Sequence, residues 1–114
     1  MAKLEKKIYV DFDELLHEIE NGIKNGSASA TLEDSSDFRD GDSKCGVRVF
    51  ERYSYTGGNR VSLNVTCFQQ GEGPVFLSAI TSGGSRAVLF KLNTFGEEAF
   101  LDEIKEIIKK ITVK

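Results

Sequence analysis

Two short segments of the chain, Thr56-Gly57-Gly58-Asn59-Arg60 and Ser82-Gly83-Gly84-Ser85-Arg86, are nearly identical and end in arginine. Successive backbone N–H groups in a glycine turn form a concavity that binds anions, and a nearby guanidinium adds positive charge. The pattern predicts a phosphate or carboxylate site, whose residues are Gly57, Gly58, Arg60, Gly83, Gly84 and Arg86. The alternative is that the glycines only permit tight hairpins, which is the commoner use of such turns. Neither segment has the Gly-Lys-Ser/Thr ending of a nucleotide-binding loop.

Glu51 is a carboxylate whose alternation phase places it with the apolar residues Val49 and Tyr53. A buried carboxylate has a raised pKa and can act as an acid or base, or hold a polar ligand. We therefore predict a second ligand-binding position near Glu51, Tyr53 and Thr81. The alternative is that the strand bends at Glu51 or that its carboxylate stays hydrated, because acids are seldom fully buried.

The remaining reactive side chains predict no catalytic residue, metal or cofactor. A catalytic triad needs a histidine beside an activated serine or cysteine, and the single histidine, His17, falls off the apolar stripe of its helix. Cys45 and Cys67 share the inward phase without facing each other, so we expect two free thiols. Their spacing from His17 is not that of a zinc site. The aspartate-rich segment 34–42 fails the EF-hand pattern, and we interpret it as part of a solvated loop that covers residues 34–44.

The composition is typical of one soluble globular domain, which we place at residues 1–114. The chain has 39% hydrophobic and 29% charged residues and a formal net charge of −3. The acidic balance argues against a broad nucleic-acid surface, and no apolar run approaches the about 20 residues that cross a bilayer. The N-terminal residues lead into an alternating segment and not into the apolar region of a signal peptide. We therefore expect a cytoplasmic location and neither a nucleic-acid nor a membrane partner.

Two segments have helical spacing. Asp11 and Glu14 form a capping-box pattern at the start of the first, and Gly26 is a plausible end. Its apolar stripe consists of Phe12, Leu15, Leu16, Ile19 and Ile23. The final helix is predicted to open at Thr94, because Glu97 follows three residues later. Its broader stripe consists of Phe100, Leu101, Ile104, Ile107, Ile108 and Ile111.

Alternation of apolar and polar residues predicts the strands between and before these helices. The predicted strands are residues 6–10, 27–33, 45–55, 60–69, 75–82 and 87–92. The order β-α-β-β-β-β-β-α predicts an α+β two-layer sandwich, in which a mainly antiparallel sheet of five or six strands carries both helices on one face. In an up-and-down sheet of this kind, both Gly-Gly turns lie at the same end.

The face that the strand 45–55 presents depends on the length of the loop after it. A three-residue loop places Val49 opposite Val65 and turns Arg48 and Arg52 away from the helices. A two-residue loop would turn the two arginines toward the core, so we prefer the three-residue loop. At the second glycine pair a two-residue turn is preferred, because it pairs Leu77 with Phe90.

The outward sheet face predicted by this register mixes aromatic residues with arginines and small polar residues. Base stacking is one use of such a face, but the RNA-recognition motif is missing and the chain is acidic. A half-apolar open face more commonly binds a protein, and we predict a two-fold homodimer. The predicted interface residues are Phe50, Phe68, Phe76 and Ile80.

Several motifs together resemble a small uncharacterised bacterial protein family. They are Glu51-Arg52-Tyr53-Ser54, Gly57-Gly58-Asn59-Arg60-Val61-Ser62-Leu63-Asn64, Leu77-Ser78-Ala79-Ile80-Thr81-Ser82-Gly83-Gly84-Ser85 and Asn93-Thr94-Phe95-Gly96-Glu97. The resemblance covers nearly the whole chain, and it implies a domain of unknown function with no assigned activity and no site residues to transfer. The layout alone is similar to helix-grip ligand carriers, although this chain is shorter and lacks their extra short helices.

Three functions follow from these observations. The first is a non-enzymatic binding or assembly domain that forms a homodimer through the open sheet face. The second is a carrier of a small apolar ligand, with a pocket between the C-terminal helix and the sheet near Glu51, Tyr53 and Thr81. The third is a protein, enzyme or binder, that takes an anionic ligand at the paired Gly-Gly turns.

Overall fold

The computed structural model describes residues 2–26, 30–54, 59–83 and 90–112. Its elements are β1 (Ala2–Ile8), α1 (Phe12–Gly26), β2 (Thr31–Asp40), β3 (Ser43–Ser54), β4 (Asn59–Gln70), β5 (Val75–Gly83) and α2 (Phe90–Thr112). The five strands form one antiparallel sheet in the order β1-β5-β4-β3-β2. The predicted α+β class, with a mainly antiparallel sheet and two helices, is therefore confirmed.

The helix α1 forms as its sequence predicts. The backbone N–H of Glu14 donates to Asp11 Oδ2 at 2.9 Å, so Asp11 caps the helix. All five residues of its predicted stripe are buried, and α1 packs on α2 over the sheet. On β4 and β5 the alternation is also correct, because Val61, Leu63, Val65, Cys67, Val75, Leu77 and Ala79 are all buried beneath the helices.

The segment 34–44 is not the solvated loop that its composition predicts. Residues 34–40 belong to the edge strand β2, which pairs with β3, and the chain reverses at Gly41 and Asp42. Gly41 has φ +58°, a conformation that glycine adopts without strain. Among the described strands only β3 pairs with β2, and nearly all of the β2 side chains are exposed, so the strand needs no apolar alternation. Charged residues on such a strand also discourage edge-to-edge aggregation.

The strand β3 presents the opposite face from the one predicted. Phe50 pairs with Leu63 and Arg48 with Val65, so both face the helices, and Phe50 is fully buried. Phe50 is therefore not on the outer face, and its prediction as an interface residue is wrong. Glu51 likewise faces outward and not inward. The sequence argument failed because it treated a buried arginine as excluded, whereas the structure supplies carboxylate partners for it.

The C-terminal helix α2 begins earlier than predicted. Phe90 is its first residue, so Thr94 lies inside the helix and does not cap it. Residues 90–92 of the predicted last strand are helical, and the rest of that strand lies outside the described residues. On the side of β5 away from β4, the neighbouring strand is β1, in which Leu4 pairs with Ala79 and Lys6 with Leu77.

Candidate functional site: the open sheet face

The face of the sheet opposite the helices, called here the open face, is uncovered within the described residues. Antiparallel pairing aligns its side chains in rows that cross the sheet at right angles to the strands. The first row crosses all five strands and consists of Phe38, Cys45, Phe68, Phe76 and Lys7. The third row consists of Asp34, Val49, Asn64, Ile80 and Lys3.

Large apolar side chains on this face are exposed to solvent. Phe38 is 65% exposed, Phe76 50%, Phe68 41%, and Ile80 39%. Single exposed apolar residues are ordinary, but a contiguous cluster is characteristic of an interaction surface. The positions of Phe68, Phe76 and Ile80 on the outer face agree with the sequence prediction. Phe38 was missed because it lies in the segment interpreted as a loop.

Small side chains form the second row, between the two larger ones. This row consists of Ser36, Val47, Thr66, Ser78 and Glu5. Beside it lies a shallow depression of about 430 Å³ that Thr66, Phe68, Phe76 and Ser78 line together with residues of β1. The small second row thus separates the two rows that carry Phe38, Phe68, Phe76 and Ile80.

An ion pair lies near the end of the open face where β4 begins. Arg60 Nε donates to Glu51 Oε1 at 2.7 Å, and this hydrogen bond raises the pKa of the exposed Arg60 guanidinium. Tyr53 is exposed on the same side. Glu51 and Tyr53 therefore do not line the space between α2 and the sheet. In the described part of that space, Leu63, Phe100 and Ile104 are fully buried.

Most residues of the two Gly-Gly turns lie outside the described residues. Gly83 ends β5 and pairs with Val61 near the start of β4, whereas Gly57, Gly58, Gly84 and Arg86 lie outside the described residues. The anion site at these turns stays a prediction.

On the helix side of the sheet, Arg48 is held by carboxylates of two elements. Its Nη1 is 3.0 Å from Asp37 Oδ1 on β2, and its Nε is 3.2 Å from Glu20 Oε2 on α1. The same Nη1 donates to the carbonyl oxygens of Ser36 and Val47. Burial opposes the charge of Arg48, yet these two carboxylates keep its pKa above the ordinary value.

Arg52, four residues further along β3, also faces the helices and contacts α2. Its guanidinium stacks over the Phe100 ring at 4.7 Å, and its Nη1 donates to Glu103 Oε1 on α2 at 3.2 Å. Burial raises the pKa of Glu103, against the lowering effect of Arg52. The second carboxylate oxygen, Oε2, is buried and has no hydrogen-bond partner. Both arginine sites join secondary-structure elements and lie away from the open face.

The two thiols are free, as predicted. Burial raises the pKa of Cys67 to about 12, so its thiol stays protonated and unreactive. Cys45 is only partly buried and belongs to the first row of the open face. The described residues contain no group of three or more histidine, cysteine or acidic side chains that could hold a metal ion.

Comparison with known proteins gives a family but no activity. The model of DUF6054, described as a family of unknown function, matches residues 1–112. No curated protein and no solved structure matches the chain. Within the described part of the chain, no helix is long and apolar enough to cross a membrane.

Proposed function

The chain belongs to DUF6054, a family of unknown function, and we propose from its own surfaces that it is an assembly domain that forms a homodimer through the open face. The observation that carries the proposal is the row of aromatic side chains. Phe68 and Phe76 stand on adjacent strands, and Phe38 stands two strands from Phe68 at the same level of the sheet. Each of the three is more than a third exposed. Their burial against a second copy would remove this apolar surface from water.

The dimensions of the open face suit a stable interface. Five strands about 4.8 Å apart, each contributing about eight residues with a rise of 3.4 Å, give a face of roughly 600 Å² per copy in flat projection. Side-chain relief increases the area that contact removes from water. A stable protein–protein interface buries about 800 Å² per partner, which the full face approaches.

A self-association measurement tests the proposal. We expect the protein to sediment as a dimer at micromolar concentration, and we expect Phe68→Asp with Phe76→Asp to convert it to a monomer, because two carboxylates would lie in the centre of the contact. The matched control is Tyr9→Asp, which changes an aromatic residue that is 75% exposed but follows β1 outside the sheet. Circular dichroism verifies that each variant is folded.

Two outcomes would overturn the proposal. One is a wild-type protein that sediments as a monomer up to 100-micromolar concentration, on the order of the weakest specific homodimers. The other is a folded Phe68→Asp/Phe76→Asp variant that remains as dimeric as the Tyr9→Asp control. Either result would mean that the aromatic row does not bind a second copy.

A further inference from the structure

The two edge strands of the sheet carry opposite charges. On β1 the residues whose side chains lie on the open face are Lys3, Glu5 and Lys7; on β2 the charged residues on that face are Asp34 and Asp40. All five are exposed. Lys3 Nζ lies 3.8 Å from Glu5 Oε1, so the β1 side of the open face has a small net positive charge, whereas the β2 side is acidic.

Two sheets that meet face to face in a two-fold dimer can be related in two simple ways. If the axis runs at right angles to the strands, β1 lies over the partner's β1 and β2 over the partner's β2. If the axis runs parallel to the strands, along the central strand β4, β1 lies over the partner's β2. The first arrangement places each edge over its like-charged counterpart, whereas the second places the edge with Lys3 and Lys7 over the edge with Asp34 and Asp40.

The axis along β4 preserves the level of every residue along the strands, so each row of one copy lies over the same row of the other. Phe68 then lies opposite the partner's Phe68, and Phe76 lies opposite the partner's Cys45. Ile80 lies opposite the partner's Val49. Asn64 and Thr66 lie opposite their own counterparts and Ser78 lies opposite the partner's Val47, so the centre of the contact combines apolar pairs with uncharged polar ones.

The charged ends of the same rows agree with this axis. Lys3 and the partner's Asp34 stand at one level, at the two ends of the third row. Glu5 meets the partner's Ser36, and Lys7 meets the partner's Phe38. Aligned sheets pack at about 30°, which moves the edges by about 5 Å, and a lysine side chain spans that distance. Arg60 lies near the axis, where its own Glu51 offsets its charge.

From these rows and edges we infer that the partner of the open face is a second copy in this one orientation, with β1 over the partner's β2 and Lys3 against the partner's Asp34. The inference rests on the proposed function, which supplies the dimer. It adds the arrangement of the copies and makes the charged edges the determinant of that arrangement.

Charge reversal tests the orientation. An acidic variant, Lys3→Glu/Lys7→Glu, makes both edges acidic, and a basic variant, Asp34→Lys/Asp40→Lys, makes both edges basic. We expect each variant alone to associate at least tenfold more weakly than wild type, because like charges then meet at both edges. An equimolar mixture should recover wild-type affinity as a heterodimer, which native mass spectrometry resolves by mass. The matched control for the acidic variant is Lys24→Glu/Lys105→Glu, which makes the same change of net charge on the helices.

The outcomes separate the orientation from the dimer itself. A monomeric wild type would refute the proposed function and this inference together. If wild type is dimeric and both charge variants are equally dimeric, only the orientation is refuted. With the axis at right angles to the strands, each edge already lies over its own copy, so charge reversal only replaces one like-charge contact with another. Failure of the folded variants to recover association on mixing would refute it as well.

Discussion

The packing of α1 on α2 predicts whether substitution of Gly22 raises or lowers the stability of the fold. A Cβ atom added to Gly22 would lie 2.4 Å from Ile107 Cδ1 and 2.6 Å from Ile107 Cγ1, but 3.8 Å from Ile107 Cβ. Alanine is favoured over glycine in a helix by about 1 kcal/mol, whereas overpacking a core costs typically 1–3 kcal/mol, or about 2 here. We expect Gly22→Ala to lower the free energy of unfolding by about 1 kcal/mol as the difference of these two effects.

Removal of the obstructing atoms should reverse the sign. Ile107→Ala by itself costs roughly 2–4 kcal/mol, but it deletes Cδ1 and Cγ1 and leaves only an ordinary van der Waals contact. In that background Gly22→Ala should raise the free energy of unfolding by about 1 kcal/mol, through helix propensity alone. The coupling between the two positions is then about 2 kcal/mol in a double-mutant cycle.

Urea denaturation of wild type, Gly22→Ala, Ile107→Ala and the double variant, all at the same protein concentration, measures the double-mutant cycle. Asn21→Ala, at the exposed neighbouring position, is the control and should have the same effect in both backgrounds. A Gly22→Ala variant that stabilises the wild-type chain by about 1 kcal/mol would refute the reasoning, because it would mean that the helices separate without cost.

Two further predictions concern the buried charges. Arg48→Ala should lower the free energy of unfolding by about 2 kcal/mol, since it removes the partner of two carboxylates that stay partly hydrated. Arg48→Met should lower it less, because methionine keeps most of the apolar volume. Equal losses of the two variants in urea denaturation would contradict this. The raised pKa of Glu103 means that its contribution to stability is complete below the ordinary carboxylate pKa of about 4.3 and is lost as pH rises through the folded-state pKa. The stability of wild type minus that of Glu103→Gln should therefore fall as pH rises above about 4.3, and a difference that stays constant with pH would contradict this.

The sequence predicts the parts of this fold in which burial alone decides the structure. The α1 stripe and its Asp11 cap are correct, as are the buried positions of β4 and β5, because each apolar set fits only one face of its element. Phe68, Phe76 and Ile80 could be placed on the open face for the same reason, as the alternate residues of those two strands.

The errors arise where a long-range partner overrides local pattern. The face of β3 could not be predicted because it depends on Asp37 and Glu20, which come from different parts of the chain and neutralise Arg48. Gly46 adds to this, since its missing side chain leaves room for Leu16, whose Cδ1 lies 2.7 Å from where a Cβ would be. Residues 34–40 of β2 were interpreted as a loop because an exposed edge strand needs no apolar alternation.

The two inward arginines give β3 a role in setting the angle between the helices. Hydrophobic contact resists separation of a helix from a sheet but is non-directional, so it restrains sliding and rotation only weakly. Arg48 and Arg52 lie four residues apart on one strand, about 13 Å in extended chain, and one binds α1 while the other binds α2. Each helix is thereby held in position relative to the same short segment of β3. Changes confined to β3 can thus alter the crossing angle of two helices whose own sequences are untouched.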